Sequence, residues 1–308
     1  MQIGTGYFFE SRTRQMTALS SRAAQLQQQI ATGKRIEKPS DDPVAAAQIA
    51  RLGVVEGDQA QYARNITVAQ ALLGASETAL TALSTNIQRA QELAIRASSE
   101  VLNDSNRAAI AAELHALLDD MVGVANARDV RGTPLFGGAG TGLPFTRQPD
   151  GAVSFEAAGE APPVPIGRDV AIQASDSGTR LFGGLVVGGS ETDIFAIVGD
   201  LAAALAPGGS ADADARRAAL ARATEGLAKA DERLTTARTS IGARAARLDL
   251  ETERLASAKI DNALTRGDIE GTDVQATVIE LQKTMLALEA TQASFTRLSQ
   301  LSLFDYIR

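Results

Sequence analysis

The stretch LARATEGLAKADERLTTARTSIGARAARLDLETERL, from Leu220 to Leu255, decides the fold. Large apolar residues recur in it at intervals of seven, and no proline interrupts them: Leu220, Leu227, Leu234, Ile241, Leu248 and Leu255. A seven-residue repeat keeps apolar side chains on one side of a helix that supercoils left-handedly around a partner. Such a helix cannot bury its apolar side alone, so the stretch predicts a second helix packed against it.

A matching apolar row lies in the N-terminal half of the chain. It belongs to a proline-free segment from Val44 to about Ser98, and its members are Tyr62, Ile66, Leu73, Leu80, Leu83 and Ile87. Each long helix would span about 80 Å at 1.5 Å per residue. Because each half of the chain reads as a short terminal helix, a loop and a long helix, we expect the two rows to pack antiparallel within one chain. A helix at 105–127 would be the third member of the bundle.

Prolines and glycines concentrate in the middle of the chain, where seven of the nine prolines lie between Pro134 and Pro207. Strands are predicted at 151–157, 170–174 and 181–187, as in a small antiparallel sheet, followed by a short helix at 193–206. The sequence therefore predicts a mainly α fold with a small β-rich insertion. We expect an elongated helical bundle or coiled coil formed by the N- and C-terminal arms, with the β-containing domain in the middle.

Three domains follow from this division. Residues 1–43 and 267–308 would form terminal helices, residues 44–136 and 210–266 a helical rod, and residues 137–209 an outer β-rich domain. A turn is expected at 267–273, between the rod and the last helix.

Composition argues against several classes of function. The 308 residues carry a net charge of −7, which gives no electrostatic footprint for nucleic acid or an anionic membrane. There is no cysteine, and the single histidine, His115, lacks neighbours at metal-ligand spacing, so we predict no enzyme activity, no metal and no cofactor. Asp41 and Asp42 read as caps of a helix N-terminus rather than a catalytic pair. The N-terminus does not resemble a cleaved signal peptide, and no uninterrupted apolar run is long enough to predict a membrane span.

Apolar stripes on the two terminal helices, predicted at 9–31 and 274–303, are candidates for subunit contacts. One interpretation is that the stripes bury each other, but two helices leave much of this surface in water, which a monomer seldom tolerates. We therefore predict that they contact neighbouring subunits and that the isolated chain has mobile ends that become helical on assembly. The residues assigned to this interface are Met16, Leu19, Leu26, Ile30, Leu281, Met285, Leu288, Phe295, Leu298, Leu301, Phe304 and Tyr306.

Three motifs carry a family resemblance. A loop between the first two helices resembles the N-terminal signature of the bacterial flagellin superfamily; it contains Thr32, Gly33, Lys34, Arg35, Pro39, Ser40, Asp41, Asp42 and Pro43. The ending from Leu301 to Tyr306 looks like the close of the hook-associated protein 3 branch of that superfamily. Leu135-Phe136-Gly137-Gly138 is similar to that branch's motif at the exit from the rod, although Thr133-Pro134 stands where an aromatic residue is usual.

The resemblance implies a structural subunit of the bacterial flagellum that joins the hook to the flagellin filament. Its partners would be identical subunits in a ring, hook-associated protein 1, flagellin, and an export chaperone that binds the C-terminal helix. It would be exported without signal cleavage and would be extracellular. The alternatives are a flagellin, which shares the loop and both arms, or a structural rod that carries an adhesive outer domain.

Overall fold

The computed structural model describes residues 2–99, 102–148, 151–156, 159–209 and 212–306; for residues 2–6, 8 and 298–306 it describes the backbone only. The chain divides into two compact units, residues 1–58 with 257–308, and residues 59–256. Seven helices are present in the described part: α1 Gln2–Thr32, α2 Pro43–Ala97, α3 Asp104–Ala125, α4 Gly178–Phe182, α5 Ile194–Leu205, α6 Ala213–Glu270 and α7 Val274–Tyr306. The expected mainly α fold with a small strand-containing insertion is confirmed.

Among the described residues in the middle of the chain there are six short strands: β1 Phe145–Arg147, β2 Val153–Phe155, β3 Val164–Gly167, β4 Val170–Ile172, β5 Leu185–Val187 and β6 Ser190–Thr192. They pair antiparallel as three separate two-stranded hairpins, β1–β2, β3–β4 and β5–β6. Within the described residues the single small sheet expected from the sequence is therefore wrong. The hairpins pack their apolar sides on helices instead of hydrogen-bonding to one another.

The predicted strand at 181–187 is also wrong in its first part, because Leu181 and Phe182 belong to α4. Both side chains are buried. Successive side chains of a strand point to opposite faces, whereas neighbours on a helix can share a buried side. The expected turn at 267–273 begins later than predicted, since α6 continues through Gly267 to Glu270.

Within residues 59–256, α2 and α6 run antiparallel against each other. Side-chain bonds fix their register: Ser84 Oγ to Asp231 Oδ1 at 2.9 Å, Arg238 Nε to Glu77 Oε1 at 2.9 Å, and Gln70 Nε2 to Asp249 Oδ1 at 3.0 Å. Residue numbers rise along α2 as they fall along α6, which defines the antiparallel direction. The long helices thus pair inside one chain.

The two apolar rows lie between these helices. Buried members are Ile66, Leu73, Leu80, Leu83, Ile87, Leu220, Leu227, Leu234, Ile241 and Leu248, while Tyr62 and Leu255 at the ends of the rows are half-buried. Burying each leucine stabilises the fold by about 1.5–3 kcal/mol. Helix α3 lies along α2, where Arg89 Nη2 bonds to Glu113 Oε1 at 2.6 Å and Asn86 Nδ2 to Asp120 Oδ2 at 2.6 Å.

An aromatic cluster connects the middle region to the helices. Phe145 and Phe182, whose ring centroids lie 5.4 Å apart, are both buried, and Phe195 on α5 lies 5.5 Å from Phe145. Helix α5 packs on α3, and the cluster is continuous with the apolar core of the α2–α6 pair. Basic side chains of α6 also bind the middle region. Lys229 Nζ donates to Val186 O, Arg233 Nη1 donates to Gly183 O, and Arg244 forms an ion pair with the buried Asp176.

Helix α2 contains an 18-residue window with a mean hydropathy of 1.3, so by length and composition alone it could cross a membrane. The core helix of a soluble protein passes the same test. The apolar row of α2 packs against α6, which explains why this helix is so apolar without an uninterrupted apolar run.

Replacing two glycines of α6 with alanine should change the stability of the fold in opposite directions. A Cβ on Gly226 would lie 2.9–3.1 Å from three carbons of Ile197 on α5, whereas a Cβ on Gly242 would meet nothing within 4 Å. Replacing a helical glycine with alanine gains about 1 kcal/mol of helix propensity. We expect Gly242→Ala to stabilise by about that amount, and Gly226→Ala to destabilise by about 1–3 kcal/mol through overpacking. Urea unfolding of both variants measures the difference, and equal effects would contradict the close packing of α5 on α6.

Candidate functional site

The residues assigned to assembly lie in the unit made of residues 1–58 and 257–308. Its two terminal helices, α1 and α7, pack antiparallel. An ion pair joins Arg22 Nη2 to Glu280 Oε1 at 2.5 Å. Further along, the rings of Phe9 and Phe295 meet edge to face, with centroids 5.4 Å apart. The N-terminal and C-terminal arms therefore contact each other along both helices.

Helix α7 buries an unusual row of threonines. Thr277 and Thr284 are buried and Thr291, seven residues further on, is half-buried. Each hydroxyl donates to the carbonyl oxygen of the residue four positions earlier in the chain, at 2.7, 2.8 and 2.7 Å. These bonds satisfy the hydroxyls internally, so the row can lie at a packed surface without a partner on the other helix.

Several large apolar side chains on another side of α7 are exposed, although Leu281, Leu288 and Phe295 are half-buried. Ile279 is 53% exposed, Leu286 is 67% exposed and Met285 is 45% exposed. Ile279 and Leu286 are seven residues apart, so they form one row along the helix. In the single chain this row has no cover, and it is separate from the row of threonines.

The structure places the residues assigned to the interface in different environments. Leu26 is buried between the terminal helices, and Met285 is exposed. Half-buried members are Met16, Leu19, Ile30, Leu281, Leu288 and Phe295. The side chains of Leu298, Leu301, Phe304 and Tyr306 lie outside the described residues, although their backbone belongs to α7 up to Tyr306. Their role in subunit contacts stays a prediction.

Ile279 and Leu286 are candidate contact residues that sequence reasoning missed. Their seven-residue spacing was a signal that could have identified them. The signal was overlooked because Leu281, Leu288 and Phe295 show the same spacing over three positions instead of two.

The loop between α1 and α2 binds the end of α6. Gly33, with φ of +68°, ends α1, and the next residue, Lys34, forms an antiparallel bridge with Gly271. Arg35 N donates to Glu270 O at 2.7 Å, and Thr272 N donates to Gly33 O at 3.0 Å. The side-chain ammonium of Lys34 lies 2.9 Å from the Glu270 carboxylate. This contact brings together the two arms at the end of α1.

The rest of this loop is shaped by its acids. Pro39 and Ser40 lie in a turn closed by a bond from Asp41 N to Lys38 O at 2.9 Å. The Asp41 carboxylate accepts from the backbone N–H groups of Lys38 and Glu37 at 2.9 and 3.0 Å. Asp42 accepts from Ala45 N at 3.0 Å and so caps α2 ahead of Pro43, as expected. The capping role expected for Asp42 is confirmed, whereas the one expected for Asp41 is wrong, because its carboxylate binds N–H groups of the loop before the helix.

The pKa of Asp41 lies below its ordinary value because backbone N–H groups of Lys38 and Glu37 stabilise the carboxylate. A depressed pKa in the folded state means that the ionised loop is favoured above the unfolded-state pKa. This contribution is lost as the pH falls through the folded-state pKa. We expect Asp41→Asn to reduce the acid sensitivity of the loop, measured as the pH dependence of amide exchange at residues 34–42. Asp58→Asn, at an exposed position on α2, is the control, and an identical pH profile for both variants would contradict the assignment.

Among the described residues there is no group of three or more His, Cys, Asp or Glu side chains that could hold a metal ion. His115 is half-buried on α3, with Nδ1 3.4 Å from Nη2 of Arg147. In the part of the chain that the structure describes, the site is a packing surface formed by helices and a loop.

Comparison with known proteins gives the family context for this surface. A sequence model of the bacterial flagellin N-terminal helical region matches residues 7–141. Flagellar hook-associated protein 3 of Escherichia coli is 28% identical over 321 aligned positions, which cover 99% of each chain. Flagellin of Listeria monocytogenes is 24% identical over 90% of this chain and 87% of its own. The chain is thus similar to a flagellar hook-associated protein over its whole length and to flagellins over most of it.

A solved structure of a flagellar protein shares the fold. The flagellar junction protein FlgL from Legionella pneumophila superposes with a TM-score of 0.60 at 14% identity, and the match covers 73% of this chain and all of that chain. At this level of identity the match supports the fold alone. The full-length similarity to a flagellar hook-associated protein supports a structural role for this chain in the flagellum.

Proposed function

We propose that this chain is a non-enzymatic subunit of the junction between hook and filament, and that it assembles through its terminal helices. The observation that carries the proposal is the uncovered Ile279–Leu286 row on α7, in a chain that aligns with hook-associated protein 3 over 99% of its length. A row of large apolar side chains at seven-residue spacing is the surface that a second helix covers in a coiled coil. Neighbouring subunits supply such helices in a ring.

The partners follow from the same proposal. One end of the ring would bind hook-associated protein 1 and the other flagellin, while residues 137–209 would face outward. A contact that joins one surface of a subunit to a different surface of the next produces rings or open helices rather than closed dimers. Export would proceed without signal cleavage, with a chaperone bound to the C-terminal helix until assembly, and the protein would be extracellular.

A flagellin is the second candidate, because a flagellin aligns with 90% of this chain. The identity is lower and the coverage shorter than for the hook-associated protein. Location separates the two. Label on a tagged copy should be confined to one point at the base of each filament, and label spread evenly along the filament would overturn the junction assignment.

The role of the apolar row is tested by Leu286→Asp in a strain that lacks the native gene. Leu286 is 67% exposed, so the charge should not unfold the chain, but it should prevent a neighbouring helix from covering the row. We expect the variant to appear in the medium, together with unpolymerised flagellin, and filaments to be missing.

Gln282→Asp is the matched control, since Gln282 is exposed on the same helix and already polar. It should restore filaments. Filaments at the normal number with Leu286→Asp would contradict the assembly role of the row. If the Leu286→Asp variant stayed inside the cell, the row would be needed for export of the chain rather than for assembly.

A further inference from the structure

The loop that follows α3 carries a fully exposed valine at its tip. Asp129 N donates to Thr133 O at 2.8 Å, and Gly132 N donates to Asp129 O at 2.9 Å, so the chain turns back on itself here. Val130 lies at the turn and is 100% exposed. A single exposed apolar side chain is common on protein surfaces and carries little by itself. This one differs because the loop beneath it is firmly held; we call residues 128–132 the knob.

The Asp129 carboxylate organises the knob from the inside. Its side chain is only 6% exposed. It accepts from the backbone N–H groups of Arg131 and Thr133 at 2.8 and 2.9 Å, and from Nε of Arg131 at 2.9 Å. At the base of the loop, Leu135 N donates to Ala127 O at 2.9 Å. Since these bonds order the loop before any partner binds, little conformational entropy remains to be lost when its tip makes a contact.

The knob has a net positive charge, because it contains two arginines and one aspartate. Arg131 forms an ion pair with Asp129, whereas the guanidinium of Arg128 donates to the carbonyl oxygen of Gly132 at 2.5 Å. The charge of Arg128 is therefore not neutralised by a carboxylate of the knob. An apolar tip beside an exposed cation is complementary to a surface that is apolar and acidic.

A cleft of that character lies in the same compact unit, between α5, α6 and the β5–β6 hairpin. Its volume is about 640 Å³. Buried Val187 and Ile197 contribute to its apolar floor, and four alanines of α5 and α6 leave room above it. Glu191 and Asp200, both exposed, supply two carboxylates, and Arg222 supplies one guanidinium. The cleft is thus apolar at its floor and has a net negative charge.

The knob of a chain does not occupy the cleft of the same chain, since Val130 is fully exposed. Their positions along the bundle explain this. Asp120 on α3 and Asp231 on α6 bond to neighbouring turns of α2. Because α3 and α6 both run antiparallel to α2, the knob after α3 and the cleft residues 219–223 lie in opposite directions from these bonds. The end of α3 and the cleft are about 15 Å apart along the bundle, at 1.5 Å per residue.

We propose that the knob of one subunit inserts into the cleft of the next copy of this chain. Val130 would lie on the apolar floor, and Arg128 would lie beside Glu191 and Asp200. Because the knob and the cleft are different surfaces, each copy can bind two neighbours, and the contact repeats from subunit to subunit. The inference rests on the proposed function, since a subunit of the junction has neighbouring copies of itself.

The test uses the absence of cysteine from this chain, since Val130→Cys and Ala204→Cys then introduce the only two thiols. Ala204 lines the cleft. The double variant is expressed in a strain that lacks the native gene, and isolated flagella are oxidised with copper phenanthroline. We expect dimers, trimers and longer products on a non-reducing gel, because every copy carries one thiol of each kind. Val130→Cys with Leu250→Cys is the control; its second thiol is exposed on α6 away from the cleft, so it should stay monomeric.

The contribution of the tip is measured with Val130→Asp. The amount of this variant retained in isolated flagella should fall by about tenfold or more, because a third carboxylate would enter an apolar cleft that already carries two. The unfolding temperature of the purified variant should not change, since Val130 contacts no core residue when it is fully exposed. Val130→Ile keeps an apolar tip and should be retained like the unaltered chain.

The occupant of the cleft is identified with Val130→p-benzoylphenylalanine, which forms photochemical cross-links. Mass spectrometry should find the adduct on residues 187–223 of a second copy. An adduct on a different flagellar protein would overturn the inference, and dimers without longer products in the cysteine experiment would contradict a repeating contact.

Failure of this inference can be distinguished from failure of the proposed function by locating a tagged copy in the same strains. A chain found at the base of each filament but without cross-linked products would overturn the knob and cleft contact and leave the junction assignment intact. Cross-linked oligomers from a chain spread along the filament would support the contact and overturn the junction assignment.

Discussion

Replacing Leu234 with aspartate is expected to unfold the bundle formed by α2, α3 and α6. Leu234 lies in the middle of the heptad row and has no exposed surface. A carboxylate there would be buried without a partner, which costs about 3–5 kcal/mol, and the lost apolar contact adds to this. Since single domains have only about 5–15 kcal/mol of stability, we expect a large fall in the unfolding temperature. Circular dichroism at 222 nm during heating measures it.

Leu250→Asp is the matched control for this prediction. Leu250 is on the same helix but is 59% exposed, so the same change of side chain should alter the free energy of unfolding by only about 0.5 kcal/mol. If the Leu234→Asp and Leu250→Asp variants had the same unfolding temperature, α2 and α6 would not pair through this row in solution.

Replacing Phe182 with alanine should have the second-largest effect, and it should act on the middle region. The Phe182 ring has no exposed surface and lies 5.2 Å from the ring of Phe136 and 5.8 Å from that of Phe195. Loss of a buried phenylalanine costs about 3–5 kcal/mol, because a cavity remains where the ring was. The region around α4 and the hairpins should lose its packing first. Urea unfolding measures the total effect, and limited proteolysis of residues 137–209 locates it.

Val186→Ala is the comparison for this region. Val186 is 55% exposed on β5, close to Phe182 in sequence but outside the aromatic cluster. It should leave both the unfolding curve and the proteolysis pattern nearly unchanged. If Phe182→Ala were equally harmless, the aromatic cluster would not be the element that attaches the middle region to the helices.

Much of the helical part of this fold could be predicted from residue spacing. The heptads from Leu220 to Leu255 and the proline-free segment that begins at Val44 placed both long helices to within a few residues of their observed bounds. The capping role of Asp42 and the end of α1 at Gly33 were also predictable. Each depends on chemistry within one turn of a helix, which a short window of sequence contains.

The middle region was predicted less well. Leu181 and Phe182 looked like part of a strand because the run 181–187 is short, contains no charged residue and ends at Gly188. Their helical state is set by the aromatic cluster with Phe136 and Phe195, which are distant in sequence. A short apolar run does not by itself distinguish a strand from a buried helical turn.

The sequence by itself determined the mainly α class, the two long helices, the Asp42 cap of α2 and the end of α1 at Gly33, because these depend on composition and on local chemistry. Only the tertiary structure decided which side of each terminal helix is covered. Residue spacing showed apolar rows on α1 and α7. Several rows on one helix have the same seven-residue interval, so spacing alone does not show which of them another helix covers. The structure places Leu26 and the threonine row of α7 in the packed part and leaves Ile279 and Leu286 uncovered. The contacts between α1 and α7, such as Arg22 with Glu280 and Phe9 with Phe295, join residues from opposite ends of the chain, so no short window of sequence contains them.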